Sequence, residues 1–451
     1  MNQVDWENQP ASSEWVRQNF VVGDLLGSGT FGNVYQVECR KKRNQLYALK
    51  ELSRGSLPKF IAMELKVLHK FGGQANVMSI HAAYREKDRV FIVMDYFPHL
   101  PLKDVITYLS IKEILDYMKN LFIALEYLHR NNIVHRDIKP ANFLFNRAER
   151  RYALIDFGLS HEFHKKDPRK NVPQQQRRVR ISVQPQSNRV SMVPSPRGRK
   201  SPNENTTPGP STVLQRQFVK RLNTFDDFRL VSSGPPAAKI SRLAGNECDC
   251  LDEAQVCAVC ENRPNKHINK AGTPGFRAPE ILLRFDEQSP KLDIWSAGVT
   301  MLSLLLKRHP VFRPADDVEA LAQIAQITGI DILAEAATKE GIQLTFEPAK
   351  YFAGVDIVKL MLIARDGLNA IKNSNHELLK SSMIPCDICP TLVSGNQTGY
   401  CICKKSEPHS ISTLAPDMQL CVYLVQQCLQ PDPIRRFSAS MLLDMIRSEG
   451  Y

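Results

Sequence analysis

Val134 to Phe145 reads VHRDIKPANFLF, and a little further on Leu154 to Ser160 reads LIDFGLS. Together they set His135, Arg136, Asp137, Lys139 and Asn142 in the spacing H-R-D-x-K-x-x-N, and they place Asp156 ahead of Phe157 and Gly158. The chemistry that needs this spacing is transfer of a phosphoryl group to a hydroxyl. Asp137 would orient the hydroxyl and accept its proton, and Lys139 would stabilise the transferring γ-phosphoryl. An amide oxygen and a second carboxylate, Asn142 and Asp156, would hold Mg²⁺. Each residue alone is commonplace. Five at fixed offsets, with a sixth after a short β-like run, have no competing structural explanation.

Working towards the N-terminus, Gly27 to Val34 reads GSGTFGNV. A lone G-x-G-x-x-G is weak, because dinucleotide-binding folds share it. Here Gly27, Ser28, Gly29, Thr30, Phe31, Gly32 and Val34 lie between two β-like runs, FVVGDLLG and NVYQVEC, as in a hairpin, and open no helix. Glycines in such a loop let backbone N–H groups approach phosphates. Sixteen residues after Val34, Lys50 in YALK supplies an ammonium for the α- and β-phosphates. Glu64, in IAMELKVL, has apolar neighbours on both sides, so its face points inward. A buried carboxylate needs a partner, and Lys50 is the candidate.

Towards the C-terminus, Gly272 to Glu280 reads GTPGFRAPE, with Asp293 in LDIWSAG and Arg436 in DPIRRFSA. Thr273 and Arg277 are expected in a substrate loop. Glu280 and Arg436 are expected to be buried together, as a structural pair.

Bulk properties bound the rest. The chain has 451 residues, 43% of them hydrophobic, and no run of eighteen apolar residues, so no membrane span is expected. The opening MNQVDWENQPASSEW has no basic stretch followed by an apolar one, so secretion is not expected. Eleven cysteines should then be reduced thiols or metal ligands. The formal charge of +12 is localised: Lys165 to Arg221 holds fourteen Lys/Arg against Asp167 and Glu204, which is the whole surplus.

Strand-like runs (LYALKEL and RVFIVMDYF besides the two above) alternate with helical ones (LPKFIAMELKVLHKF, KEILDYMKNLFIALEYLHRN) over residues 20–160. Pro, Ser, Gln and Arg dominate 162–246, a texture expected of an unstructured insert. Helical patterns resume after 271, with LDIWSAGVTMLSLLLKR and DVEALAQIAQITG. Residues 330–415 read as a second insert, in which VDIVKLMLIARDGLNAIK has the pattern of an amphipathic helix. DMQLCVYLVQQCL and SASMLLDMIRS close the chain.

Residues 20–160 and 271–445 resemble a eukaryotic protein kinase, with every major signature in order. The resemblance implies an α+β, two-lobed fold: an N-lobe over 20–94 after an extension at 1–19, then a hinge and the first part of the C-lobe over 95–161. The activation-segment insert would fill 162–270, and the C-lobe would continue over 271–329 and 416–451 around the second insert. It implies ATP and Mg²⁺, with Leu26, Val34, Ala48 and Leu144 sandwiching adenine. Met94 would be the gatekeeper before hinge residues Asp95 to Phe97, and Leu68, His135 and Phe157 would stack as a spine. Lys139 and Thr273 resemble the serine/threonine class. A pseudokinase scaffold, the rival from another class, would lack Lys50, Asp137 or Asp156, and all three are present.

From Leu159 to Arg277 lie 119 residues, several times the usual length. That insert, its basic Ser/Pro-rich filling and the cysteines ahead of AGTPGFRAPE resemble the cell-division-cycle-seven, or Dbf-dependent, replication kinases. The alternative is a serine/threonine kinase of another family with coincidental inserts. The resemblance implies a nuclear enzyme activated by a Dbf-type regulatory subunit, acting on the minichromosome-maintenance helicase at acidic or pre-phosphorylated sites. Arg277 beside the substrate loop would favour an acidic neighbour of the acceptor. The close, SASMLLDMIRSEGY, departs from the family in lacking a His-Pro-Phe-like end.

Cys248, Cys250, Cys257 and Cys260 form C-x-C-x₆-C-x₂-C, a set able to close a tetrahedral Zn²⁺ site just before the substrate loop. Cys386, Cys389, Cys401 and Cys403 form C-x₂-C-x₁₁-C-x-C, a second candidate. Ser195, Ser201 and Thr207 each precede proline, so a proline-directed kinase would find targets in the basic segment, which would otherwise serve as a linker, nuclear-import or chromatin-contact tail.

Overall fold

The structure is a computed structural model. It describes residues 10–29, 32–53, 56–164, 177–182, 272–285, 287–347, 353–362, 364–365, 412 and 414–451. Thr30, Phe31 and both cysteine clusters lie outside the described residues, as do most of 162–270 and all of 366–411.

The N-lobe is a five-stranded antiparallel sheet of β1 (Phe20–Gly29), β2 (Gly32–Cys39), β3 (Leu46–Leu52), β4 (Ile80–Glu86) and β5 (Arg89–Asp95), in the order β1-β2-β3-β5-β4. Glycine is required at Gly32: its φ is 135°, and a Cβ there would lie 2.0 Å from the Glu51 carbonyl oxygen. β4, with its sequence IHAAYRE, was not anticipated, because two alanines and a histidine blur the alternation that marks a half-buried strand.

The expected extension at 1–19 is part of this lobe from residue 10 onwards. Ser13 caps α1 (Glu14–Asn19) by accepting from the Val16 N–H at 3.3 Å. Val16, Phe20, Val37, Tyr47, Leu49, Phe91 and Val93 form a second core on the outer face of the sheet. Trp15 stacks on Tyr84 at 4.6 Å. Ser12 accepts from Arg89, whose Nε also reaches the Glu51 carboxylate at 2.7 Å, beside Lys50 in sequence.

Helix α2 (Pro58–Phe71) lies against the inner face of the sheet and buries Glu64, Val67, Leu68 and Phe71. After the short α3 (Leu102–Val105), the C-lobe is organised on α4 (Ile111–Arg130). A capping box opens it: the Ser110 hydroxyl accepts from the Glu113 N–H while the Glu113 carboxylate accepts from the Ser110 N–H. β6 (Ile133–Val134), β7 (Phe143–Asn146), β8 (Arg151–Leu154) and β9 (His161–Glu162) follow as two small pairs, β6 with β9 and β7 with β8.

α5 (Pro279–Leu282), α6 (Lys291–Leu305) and α7 (Asp317–Thr328) come next. α6 is apolar all round and nearly every residue in it is buried, as befits the centre of a lobe. α9 (Pro416–Cys428) packs on α6, and α10 (Ala439–Ser448) packs on α4 through Leu442, Leu443 and Ile446. The unusual chain ending does not disturb that packing.

Both expected inserts contain regular structure. Gly329, with φ 92°, turns α7 directly into α8 (Ile330–Lys339), which buries Leu333, Ala336 and Ala337. Arg177–Ser182, inside the segment expected to be unstructured, forms β10, which pairs in parallel with β11 (Ile342–Glu347). The apolar positions of RRVRIS alternate with arginines, and Ile342, Leu344 and Phe346 of β11 alternate on the buried side. A local strand signal inside a basic, proline-rich background had been outweighed by the composition around it. Helix is present at 357–362 and 364–365, within the amphipathic pattern expected there. No helix of the described residues is long and apolar enough to cross a membrane.

Candidate active site

A cavity of about 550 Å³ opens between the two lobes. Its roof is the glycine-rich β1–β2 hairpin with Leu26, Val34 and Ala48, and its floor includes Leu144. Met94, Asp95 and Phe97 line its back, so an adenine-sized ring would lie between apolar walls next to open backbone at the hinge. Register explains the alignment of roof and cation: Val34 pairs directly with Lys50 across β2 and β3, and Ala48 pairs with Met94 across β3 and β5.

Lys50 is 6% exposed, and its Nζ donates to Glu64 Oε1 at 2.6 Å and to Asp156 Oδ1 at 2.8 Å. Burial disfavours the ammonium, yet the two carboxylates outweigh it and hold the Lys50 pKa above the ordinary lysine value. The cation is therefore fixed in charge and place. Glu64 sits where the sequence put it, on the buried face of α2.

The catalytic loop is built around Asp137. Burial would raise its pKa, but the Lys139 ammonium, with hydrogen bonds from Lys139 and Thr273, holds it below the usual carboxylate range. Lys139 Nζ donates to Asp137 Oδ2 at 2.7 Å and to Thr273 Oγ1 at 2.8 Å. The Thr273 hydroxyl and N–H donate to Asp137 Oδ1 at 2.6 and 2.9 Å. Gly272 is what lets this loop in: its φ is 108°, and a Cβ there would meet the Arg136 carbonyl at 2.8 Å.

Asn142 donates from Nδ2 to the Asp137 carbonyl at 2.8 Å and to Oδ2 at 3.1 Å. This orientation reserves its Oδ1 as an acceptor, and Asp156 spends only Oδ1 on Lys50. Two hard oxygens at the same end of the cavity suit Mg²⁺, which keeps several ligands from water and phosphate. Asp156 has φ 66° and Arg136 has φ 70°, left-handed conformations that the surrounding contacts must enforce.

Those contacts centre on Asp293, a residue visible in the sequence but given no role there. Fully buried, its carboxylate accepts from the His135 N–H at 2.8 Å and the Arg136 N–H at 2.7 Å, and it meets His129 Nε2 at 2.9 Å. His135 Nδ1 accepts from the Asp137 N–H, so Nε2 carries the proton donated to the Ile155 carbonyl at 3.0 Å. The His135 and Phe157 rings touch edge to face at 5.1 Å, and Leu68 and Phe157 share the main core, as a spine requires. Arg136 Nη2 donates to Gln288, a contact with no sequence signal.

Glu280 and Arg436 are both 0% exposed and form a two-pronged pair at 2.6 and 2.9 Å, away from the cavity. Arg277 is engaged within the substrate loop, donating to the Gly272 carbonyl at 3.0 Å and to Asp317 at 2.9 Å. Part of its charge is thus answered within the chain.

The arrangement can bind a nucleotide triphosphate, hold Mg²⁺ on Asn142 and Asp156, and present an ionised carboxylate to a hydroxyl beside Lys139. When bound, Mg²⁺ neutralises charge on the phosphate oxygens. Asp137 takes up the hydroxyl proton, and Lys50 and Lys139 meet the phosphate charge from two sides.

Residues 20–177 and 256–446 match the protein kinase domain family. The chain is 34% identical over 385 residues to the cell division cycle 7-related protein kinase of Mus musculus, covering 71% of this chain and 68% of the relative. To the protein of the same name from Homo sapiens it is 33% identical over 387 residues, 71% and 67% respectively. To the cell cycle protein kinase spo4 of Schizosaccharomyces pombe it is 26% identical over 369 residues, 75% and 73%. With the catalytic residues assembled around one cleft, the chain belongs to the serine/threonine protein kinases, in the family of the cell division cycle 7-related kinases.

Proposed function

We propose that this kinase phosphorylates subunits of the minichromosome-maintenance helicase in the nucleus, triggering DNA replication, once a Dbf-type regulatory subunit has bound. The observation that carries this reading is the likeness, spanning both lobes, to cell division cycle 7-related kinases. A long insert between Asp156 and Thr273 accords with it. Any chromatin contact would be indirect, through the partner. Acidic acceptor sites are favoured through Arg277, provided that its link to Asp317 yields to the substrate. The test is phosphate transfer by the purified chain to helicase-tail and control peptides, with and without the regulatory subunit. Activity that appears with the subunit, on acidic serine sites, supports the reading. Full activity alone on all peptides would place the kinase in another pathway.

The cysteine spacings support two structural Zn²⁺ sites, one on Cys248, Cys250, Cys257 and Cys260 and one on Cys386, Cys389, Cys401 and Cys403. The first would anchor the far end of the insert next to the substrate loop. Metal analysis of protein purified without chelator should find bound zinc; its absence would remove both sites.

A further inference from the structure

Helix α2 carries Glu64, so phosphoryl transfer depends on where that helix sits. No side chain caps its N-terminus, where Leu57 is the N-cap residue and Pro58 begins the helix. Glu64 grips Lys50 from one side. Two residues on, Lys66 points about 200° around the helix, and its Nζ is bonded to Glu162 Oε1. Both side chains of this second pair are exposed, at 44% and 40%.

Glu162 does not sit on a free loop. It belongs to β9, and Ile133 pairs with Glu162 and Val134 with His161, while the Phe163 N–H donates to the Asn132 carbonyl at 2.7 Å. β6 runs straight into His135, Arg136 and Asp137. A continuous connection therefore joins α2, through Lys66 and Glu162, to the backbone that carries the catalytic aspartate. His164, at 4.0 Å, and Lys70 also face Glu162, so the carboxylate lies among cations.

We propose that Lys66 and Glu162 are positioning residues: their ion pair clamps helix α2 in the register that brings Glu64 onto Lys50 and so sets the rate of phosphoryl transfer. The inference rests on the kinase activity alone and does not need the replication assignment. One contact holds a helix at a point but leaves it free to rotate or slide. Two on nearly opposite sides fix both motions. Because exposed pairs are weak and screened by salt, the effect is modest and depends on ionic strength.

The test uses the full chain, with and without the proposed Dbf-type regulatory subunit, and casein as a generic phosphoacceptor. Lys66→Glu and Glu162→Lys should each lower kcat and raise the KM for ATP, by about two- to fivefold in kcat/KM, with the melting temperature unchanged. The doubly exchanged variant, K66E with E162K, should recover most of the loss. Going from about 0.05 M to about 0.5 M salt should shrink the gap between wild type and Lys66→Ala. In parallel, amide hydrogen exchange over 58–71 should speed up in the single variants and slow again in the exchanged pair. Singles that match wild type in both measurements, or an exchanged pair as impaired as the two singles combined, would overturn the proposal. If neither form transfers to casein, hydrogen exchange over 58–71 alone decides the clamp.

Discussion

The Thr273 hydroxyl donates to Asp137 Oδ1 over 2.6 Å while accepting from Lys139 at 2.8 Å, so the substrate loop holds the catalytic carboxylate directly. Thr273 precedes a proline, but its hydroxyl is committed to Asp137 and Lys139 of the catalytic loop, the role that the kinase resemblance implies for it. Thr273→Ala should lower kcat by about ten- to a hundredfold, the worth of a hydrogen bond to a charged group, whereas Thr273→Ser should retain most activity. Thr273→Glu, which sets a carboxylate against Asp137, should be inactive. Steady-state kinetics on the three variants checks this.

Asp156→Asn should reduce turnover by about 10³-fold or more, since it removes a metal carboxylate and one partner of Lys50. The fold should persist, because Asp156 lies at the cavity wall and not in a core. Thermal unfolding with ATP, with and without Mg²⁺, reads the effect directly. Wild type should gain stability from the metal complex, and the variant should gain far less.

Glu280→Ala should destabilise the protein by about 3–5 kcal/mol, because it leaves the buried Arg436 guanidinium uncompensated. Arg436 lies 5.3 Å over the Trp295 ring and also donates to the carbonyls of Lys291 and Gln430, so it cannot swing out to water without unmaking the loop before α10. Chemical denaturation of the variant is the measurement. A loss under about 1 kcal/mol would deny the pair its structural role.

Stability should be insensitive to acid down to about pH 5 and fall below about pH 4. Asp137 and Asp293 both have folded pKa values below those of an unfolded aspartate, Asp137 through Lys139 and Thr273, and Asp293 through His129 and the backbone N–H groups it accepts, in each case against the opposing pull of burial. A carboxylate of this kind stabilises the fold at pH values above its unfolded pKa, about 3.9. That contribution is lost as the pH falls through the folded value. Unfolding measured from pH 8 to pH 3 should show this shape, with a shallower acid limb in Asp293→Asn.

How much of this was legible in the sequence depends on the kind of contact. Lys50, Asp137, Lys139, Asn142 and Asp156 are legible because phosphoryl transfer demands fixed residue types at fixed offsets, and Glu64 because a carboxylate between apolar neighbours needs a buried partner. The Glu280–Arg436 pair was legible because two buried charges require one another. The Asp293 clamp was not read, since an aspartate in an apolar helix says only that it must have partners, not which ones. The packing of α1 on the sheet was not legible for another reason. Trp15 and Val16 occur in a short polar stretch, and only the folded sheet supplies Tyr84, Phe91 and Arg89 to receive it. Lys66 and Glu162 are 96 residues apart on exposed faces, where single charges carry no pattern.

The central claim is tested most directly by single-turnover transfer of the γ-phosphoryl of ATP to a serine peptide, comparing wild type with Asp137→Asn in the full chain with the proposed regulatory subunit present. Wild type should form phosphoserine, and the variant should bind ATP and Mg²⁺ as tightly while transferring at least about 10²-fold more slowly. Equal rates in the two proteins would contradict the assignment of Asp137, and with it the phosphoryl-transfer mechanism built on that residue.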